Sequence, residues 1–451
     1  MERKIKTAFV CTKCGAIHPR WQGQCRECGE WNCLAEEQIV KSSRKGEKIK
    51  AVKTRKFSDI DEDLLSGYVS GIIEFDRVLG GGLLSGSAVL LAGEPGIGKS
   101  TLILQAAEAY SRHDLKVLYI TGEESLAQLK KRAERLTIQG TNISLVYSND
   151  LEEITAIIEE EGFNILIVDS IQTIASRMFE SPPGTIGQIR ESAGRLIEMA
   201  RKHSFALFLI GHVTKEGLVA GPKVLEHMVD AVLYFEGENQ YLYRILRPIK
   251  NRYGSTMELG VFEMSAGGLN EVENPSSLFL TEYEDLSRSG TMVAASCEGN
   301  RPILVEIQGL VSSASYGTPQ RVAGGIDNKR LALLLAILEK RAGIPMGGND
   351  VFVSVAGGLK LTETAVDLAV LAAIVSSLRD VAIDSGTVVT GEVGLSGEVR
   401  AVGMMEGRIT EAAKLGFNRI IVPQQNLDGY TNNKIEIIGV SSLEKALDIL
   451  F

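Results

Sequence analysis

Long apolar runs are missing from this chain. No stretch reaches about 18 consecutive apolar residues, which excludes a membrane-spanning helix. The opening MERKIKTAFV lacks an apolar signal core followed by small residues, so a cytoplasmic protein with no membrane partner is expected. Cysteine is nearly absent beyond position 33. Five of the six cysteines fall within residues 11–33 and the sixth is Cys297. A disulfide framework spread along the chain is thereby excluded, and clustered thiols in a cytosolic setting point to metal. Tryptophan is confined to Trp21 and Trp31. What remains is ordinary: 44% hydrophobic and 23% charged residues over 451 positions imply a globular chain of two or three domains.

Charge is unevenly distributed. Residues 1–56 carry fourteen Lys/Arg against six Glu, a net of +8, so the overall −9 leaves −17 for residues 57–451. The acidity of the whole therefore does not argue against nucleic acid, because the basic part is gathered at one end.

Within residues 1–35, Cys11 and Cys14 form one C-x-x-C and Cys25 and Cys28 a second. Each pair sets two thiolates on one tight turn, and two such knuckles make a tetrahedral four-sulfur zinc site. So short a module cannot bury enough apolar surface alone, and metal binding supplies its folding energy. Cys33 is either a stray ligand or a fifth thiol that is free or packed. Trp21 and Trp31, beside Arg20 and Arg26, either stack on bases or a neighbouring protein, or pack on the small core. Residues 36–60 are Lys-rich and aperiodic, and read as a basic linker.

The centre of the chain is Gly93–Thr101, GEPGIGKST, which fits G-x-x-x-x-G-K-[ST]. An apolar run, AVLLA, enters it and a helix-like stretch leaves it. In that context Gly93, Glu94, Pro95, Gly96, Ile97 and Gly98 wrap a phosphate chain. Lys99 bridges its outer phosphates, and Ser100 and Thr101 open the helix, with the Ser100 hydroxyl available to Mg²⁺. Further strands are expected at KVLYIT, NILIVD and ALFLI, alternating with helices over residues 61–275. That is an α/β core with a mainly parallel sheet covered on both faces. Asp169 ends NILIVD as a Mg²⁺-binding acid should. Glu123 or Glu124, after KVLYIT, is positioned to activate water. His212 either senses the γ-phosphate or is structural. Lys250 and Arg252 are surface charges unless the site lies between subunits, where they would act in trans.

The ordered set GEPGIGKST, GEES, IVDS, GHVTKEG and KNRYG resembles the RadA (Sms) family of bacterial DNA-repair and recombination ATPases, relatives of RecA and of DnaB-type helicases. The resemblance runs over nearly the whole chain. It implies a RecA-like core that binds ATP, Mg²⁺ and, through its N-terminal module, Zn²⁺. It also implies a homo-hexameric ring on single-stranded and branched DNA, working beside a RecA-type recombinase to drive branch migration. By the same resemblance Lys99, Ser100 and Thr101 take the Walker-A roles and Asp169 the Walker-B role. Glu123 becomes the water-activating acid, His212 the switch residue, and Lys250 and Arg252 contacts to nucleotide across the subunit interface. Residues 176–188 and 213–224 fall where such proteins carry DNA-binding loops, with Arg177, Lys215 and Lys223 as candidate phosphate contacts.

Residues 276–451 read as a separate α+β domain. From Val351 to Pro423 it is similar to the proteolytic domain of Lon, whose chemistry needs a Ser nucleophile and a Lys. Those positions fall at Ala365 and Glu406, so an inactive scaffold is expected. An ATP-dependent protease or protein-remodelling factor is the alternative, and an ATP-binding switch without translocation a third.

Overall fold

A computed structural model describes residues 5–11, 16–40, 67–179, 181–212, 224–237, 243–280, 288–314, 317–427 and 434–451. They divide into two compact units, Met1–Val272 and Glu273–Phe451. No helix among the described residues is long and apolar enough to cross a membrane.

At the N-terminus, β1 (Ile5–Cys11) pairs antiparallel with both β2 (Ile17–His18) and β3 (Leu34–Val40). Residues 36–40, expected in the linker, instead complete β3, with Ile39 opposite Lys6 and Val40 opposite Ile5. The β-branched Ile39 and Val40 favour the extended backbone, and pairing with β1 satisfies its hydrogen bonds.

The core sheet has nine strands. These are β4 (Ala88–Gly93), β5 (Val117–Thr121), β6 (Ile143–Tyr147), β7 (Ile165–Asp169), β8 (Ala206–His212), β9 (Ala231–Glu236), β10 (Tyr243–Asn251), β11 (Gly260–Ser265) and β12 (Gly268–Glu271). Their order is β12-β11-β10-β9-β4-β8-β7-β5-β6. From β9 to β6 every neighbouring pair is parallel, and β10 to β12 extend the sheet antiparallel.

Strand residues alternate between two cores, as a pleated strand buried on both faces requires. Val89, Leu91, Val117, Tyr119, Ile165, Ile167, Phe208 and Ile210 pack with α1 (Ile73–Leu79), α2 (Lys99–Arg112) and α3 (Leu126–Arg135). Leu90, Ala92, Leu118, Ile120, Leu166, Val168, Leu207 and Leu209 pack with α4 (Leu151–Glu160) and α5 (Ile186–His203) on the other face. This arrangement sends the carboxyl ends of β4, β5, β7 and β8 to one edge, where an open α/β sheet takes its ligands.

The second unit has a seven-stranded mixed sheet of β13 (Thr291–Glu298), β14 (Arg301–Ser313), β15 (Arg321–Gly324), β16 (Asn349–Val355), β17 (Thr387–Val389), β20 (Arg419–Pro423) and β21 (Glu436–Val440). A separate hairpin joins β18 (Glu392–Val393) to β19 (Val399–Arg400). Its helices are α6 (Asn328–Arg341), α7 (Asp367–Arg379), α8 (Met405–Lys414) and α9 (Leu443–Leu450). Ten of the thirteen α7 residues are buried, from Asp367 to Ser376, so this helix is the spine of the domain core.

Candidate active site

The edge formed by the four strand ends gathers the charged residues expected from the motifs. After β4 the chain turns through Gly93–Gly98 into α2. A Cβ on Gly93 would stand 2.4 Å from the Phe235 carbonyl oxygen, so no larger residue lets the loop lie this close to β9. Lys99, 3% exposed, donates from Nζ to the carbonyls of Gly93 and Glu94, both at 2.9 Å. Burial lowers its pKa to about 8, against the pull of the Asp169 and Glu123 carboxylates. The lysine is thus folded onto its own loop, on carbonyls a phosphate would displace.

Asp169 ends β7, and its Oδ2 accepts a 2.7 Å hydrogen bond from the Tyr119 hydroxyl on β5. The peptide that follows, Asp169–Ser170, is cis. Ser170 Oγ donates to Glu123 Oε1, and His212 Nε2 lies 3.2 Å from the same oxygen. These contacts bring together residues that follow β5 and β7 with the one that ends β8. The His212 hydrogen bond, with Ser170 and the Lys99 charge, lowers the Glu123 carboxyl to about 2 against the opposing effect of burial. Its position is set locally. A Cβ on Gly122 would meet Thr173 Oγ1 at 2.0 Å, and Ser125 opens α3 with a capping box to Gln128. Glu124 turns elsewhere, forming an ion pair with Arg132 of α3. Of the two adjacent acids, Glu123 faces the site.

Lys250 and Arg252 lie elsewhere. Lys250 stands opposite Val232 and Asn251 opposite Ala231, level with Leu90 and Val89 on β4. That is about 10–13 Å back along the strands from Gly93. Lys250 Nζ donates to the carbonyls of Glu226 (2.7 Å) and Val229 (2.8 Å), and Arg252 Nη1 to Asp230 Oδ1 (3.1 Å). Asp230, 3% exposed, also accepts from the Ala88 amide. Neither cation reaches the phosphate loop of its own chain.

Of the two expected DNA-facing segments, 213–223 lies outside the described residues, and Lys215 and Lys223 with it. In the other, Gln188 is buried and donates to the carbonyls of Ser176, Phe179 and Ser181. Arg177, a candidate phosphate contact from the sequence, pairs with Asp150 and Glu153.

In the N-terminal module Cys14 lies outside the described residues. The sulfurs of Cys11, Cys28 and Cys33 lie within 4.8 Å of one another, with Cys11–Cys28 at 3.7 Å and Cys11–Cys33 at 3.3 Å. Cys25 Sγ is 3.4 Å from His18 Nε2. Tetrahedral thiolates on zinc at about 2.3 Å stand about 3.8 Å apart, so this spacing fits the metal. Burial and the neighbouring thiols push Cys33 up to about 11, a crowding that a divalent cation relieves. Cys33, left open from the sequence between a stray ligand and a free or packed thiol, sits inside the cluster. Trp21 and Trp31 are both exposed.

The chain is 47% identical over 451 residues to the DNA repair protein RadA of Bacillus subtilis (strain 168), covering 98% of each chain. It is 45% identical over 458 residues to that of Escherichia coli (strain K12), covering 100% of this chain and 99% of the other. This chain belongs to the RadA family. Residues 62–217 match an AAA domain, 9–36 a rubredoxin metal binding domain and 304–426 the subunit ChlI of Mg-chelatase. The RadA-family core is therefore an ATPase domain, carried between a zinc-binding cysteine module and a ChlI- or Lon-like domain. Motif reading missed three residues of this RadA-family core: Tyr119, Ser170 and Arg244. The clue for Tyr119 was a hydroxyl inside the mostly apolar strand VLYIT, whereas Arg244 lies in YRILRPIKN among further cations and gave no such signal.

Proposed function

We propose that the core hydrolyses ATP to move single-stranded or branched DNA, driving branch migration of recombination intermediates as a homo-hexameric ring beside a RecA-type recombinase. The observation that carries the catalytic part is the convergence of Ser170 and His212 on one carboxylate oxygen of Glu123, at the edge where Lys99 and Asp169 also lie. Glu123 orients the attacking water. As the water oxygen bonds the γ-phosphorus, the bond to the β-phosphate oxygen breaks, leaving ADP and phosphate, and Glu123 accepts the water proton. With a pKa near 2 in the resting site, Glu123 is a weak base, suited to orientation and late proton transfer in a loose transition state. Lys99 leaves the Gly93 and Glu94 carbonyls for the phosphates. Ser100 and Asp169 are the residues that would hold Mg²⁺, which when bound neutralises charge on the β- and γ-phosphates.

His212 ends β8 immediately before residue 213, so a shift of its contact with Glu123 is passed directly to the next segment. Lys250 and Arg252, at the opposite edge from their own phosphate loop, serve a neighbouring subunit's nucleotide. Thiolates including Cys11 and Cys28 hold the structural zinc. In the second unit Ala365 offers no nucleophile. Glu406 supplies no ammonium, and peptidase activity is absent. Single-stranded DNA should raise the steady-state rate of ATP hydrolysis several-fold while an unfolded protein does not. Stimulation by unfolded protein alone would transfer the proposal to protein remodelling.

A further inference from the structure

Arg244 lies in β10, two strands from the phosphate loop, and is 7% exposed. Its Nη1 donates to the Tyr243 carbonyl (2.8 Å) and its Nε to the carbonyl of Ile97, inside the loop, at 3.2 Å. A cation buried within a sheet carries a desolvation cost, and burial lowers the pKa of this guanidinium. Sheet formation alone does not ask for it. The strand's neighbouring positions, Tyr243, Ile245 and Leu246, are buried side chains of the usual kind.

The Ile97 contact has a geometric consequence. In a planar trans peptide the C=O and the following N–H point in opposite directions. With the Ile97 carbonyl drawn toward β10, the Gly98 N–H is turned to the other side of the loop. That N–H has no partner among the described residues. Gly98 also begins the first turn of α2, where unpaired N–H groups face an anion. The position needs glycine: a Cβ there would stand 2.9 Å from Met264 Cε, and its φ of 115° lies in the left-handed region. We infer that Arg244 is a positioning residue for phosphate recognition, holding the Ile97–Gly98 peptide with its N–H presented to the β-phosphate of a nucleoside di- or triphosphate. It acts through the loop and need not touch the ligand.

The inference rests on the nucleotide site proposed above, and two variants separate the two. Lys99→Ala reports on the site itself, and Arg244→Met, which keeps a long side chain but no donor, reports on the peptide. The readout is the dissociation constant for ADP against that for AMP, measured by calorimetry on the full chain with thermal unfolding alongside. AMP lacks the β-phosphate, so loss of one oriented N–H weakens ADP about tenfold while AMP changes less than about twofold. The ADP preference therefore falls. Arg244→Lys keeps one donor and restores part of it. If Arg244→Met does not fold, the Lys variant decides: an ADP preference below wild type supports the inference, and one equal to wild type overturns it. Equal weakening of AMP and ADP would mean a merely structural arginine and overturn it too. If Lys99→Ala leaves ADP binding untouched, it is the site reading that fails.

Discussion

Two buried charged clusters in this chain are built in opposite ways. In the core, Lys99 sits on two backbone carbonyls, and its pKa is lowered to about 8 by burial. In the second unit, Arg408, fully buried on α8, pairs with Glu363 and donates to the carbonyls of Gly403 and Ala295. Glu363 in turn accepts from the Cys297 amide at 2.8 Å and Ser296 Oγ at 3.2 Å. Nearby, Arg330 holds buried Asp367, which also accepts from Val393 N–H. A cation resting on neutral carbonyls is ready to exchange them for an anion. A cation satisfied by a carboxylate is not. A lysine held by exchangeable carbonyls thus stands against an arginine closed on a carboxylate, although both hold charge out of water.

Mutations should divide along the same line. The largest effect is expected for Lys99→Ala, with ATP turnover falling about a thousandfold, in the range of transition-state charge stabilisation, and unfolding little changed. Retention of more than a tenth of the rate would place the phosphate site elsewhere. Arg408→Met should do the reverse. It leaves Glu363 without its partner and lowers stability by about 3 kcal/mol, read as a drop in unfolding temperature. An unchanged transition would show that the cluster is dispensable.

A smaller effect follows from protonation. Lys99 is charged below about 8 and neutral above it in the free protein, whereas a bound phosphate raises its pKa again. ADP binding should then take up a proton above pH 8, and affinity should fall as pH rises from 8 to 9.5. Calorimetry in buffers of different ionisation enthalpy reads the uptake. Proton release, or a flat profile that Lys99→Arg does not alter, would contradict the assignment. The smallest effect belongs to Tyr119→Phe. Losing one hydrogen bond to Asp169 frees that carboxylate to rotate and should raise the Mg²⁺ concentration needed for half-maximal ATPase a few-fold, with ADP affinity in EDTA unchanged. A shifted EDTA affinity would point to general damage instead.

Much of this was legible in the residues. The apolar strand runs alternate between two faces, so the parallel sheet follows from pattern, and motif spacing brings Lys99, Glu123, Asp169 and His212 to strand ends. Choosing between Glu123 and Glu124 was beyond sequence, because both follow the same strand. The choice depends on Arg132 capturing one and His212 the other across a distance of many residues. The place of Cys33 was open for a similar reason. The paired C-x-x-C spacing ranks thiols by local turns, whereas the β1–β3 pairing, with Cys11 opposite Leu34, brings Cys33 to the Cys11 sulfur. Arg177 reads as a candidate phosphate contact until α4 is placed, when Asp150 and Glu153 face it.

The central claim is that Glu123 does chemistry at a site whose nucleotide grip comes from the loop. The direct test is Glu123→Gln, comparing ATP binding with single-turnover hydrolysis in the presence of single-stranded DNA. Binding should stay within about twofold of wild type while the hydrolysis step slows about a hundredfold or more. Hydrolysis at the wild-type rate with binding intact would contradict the account.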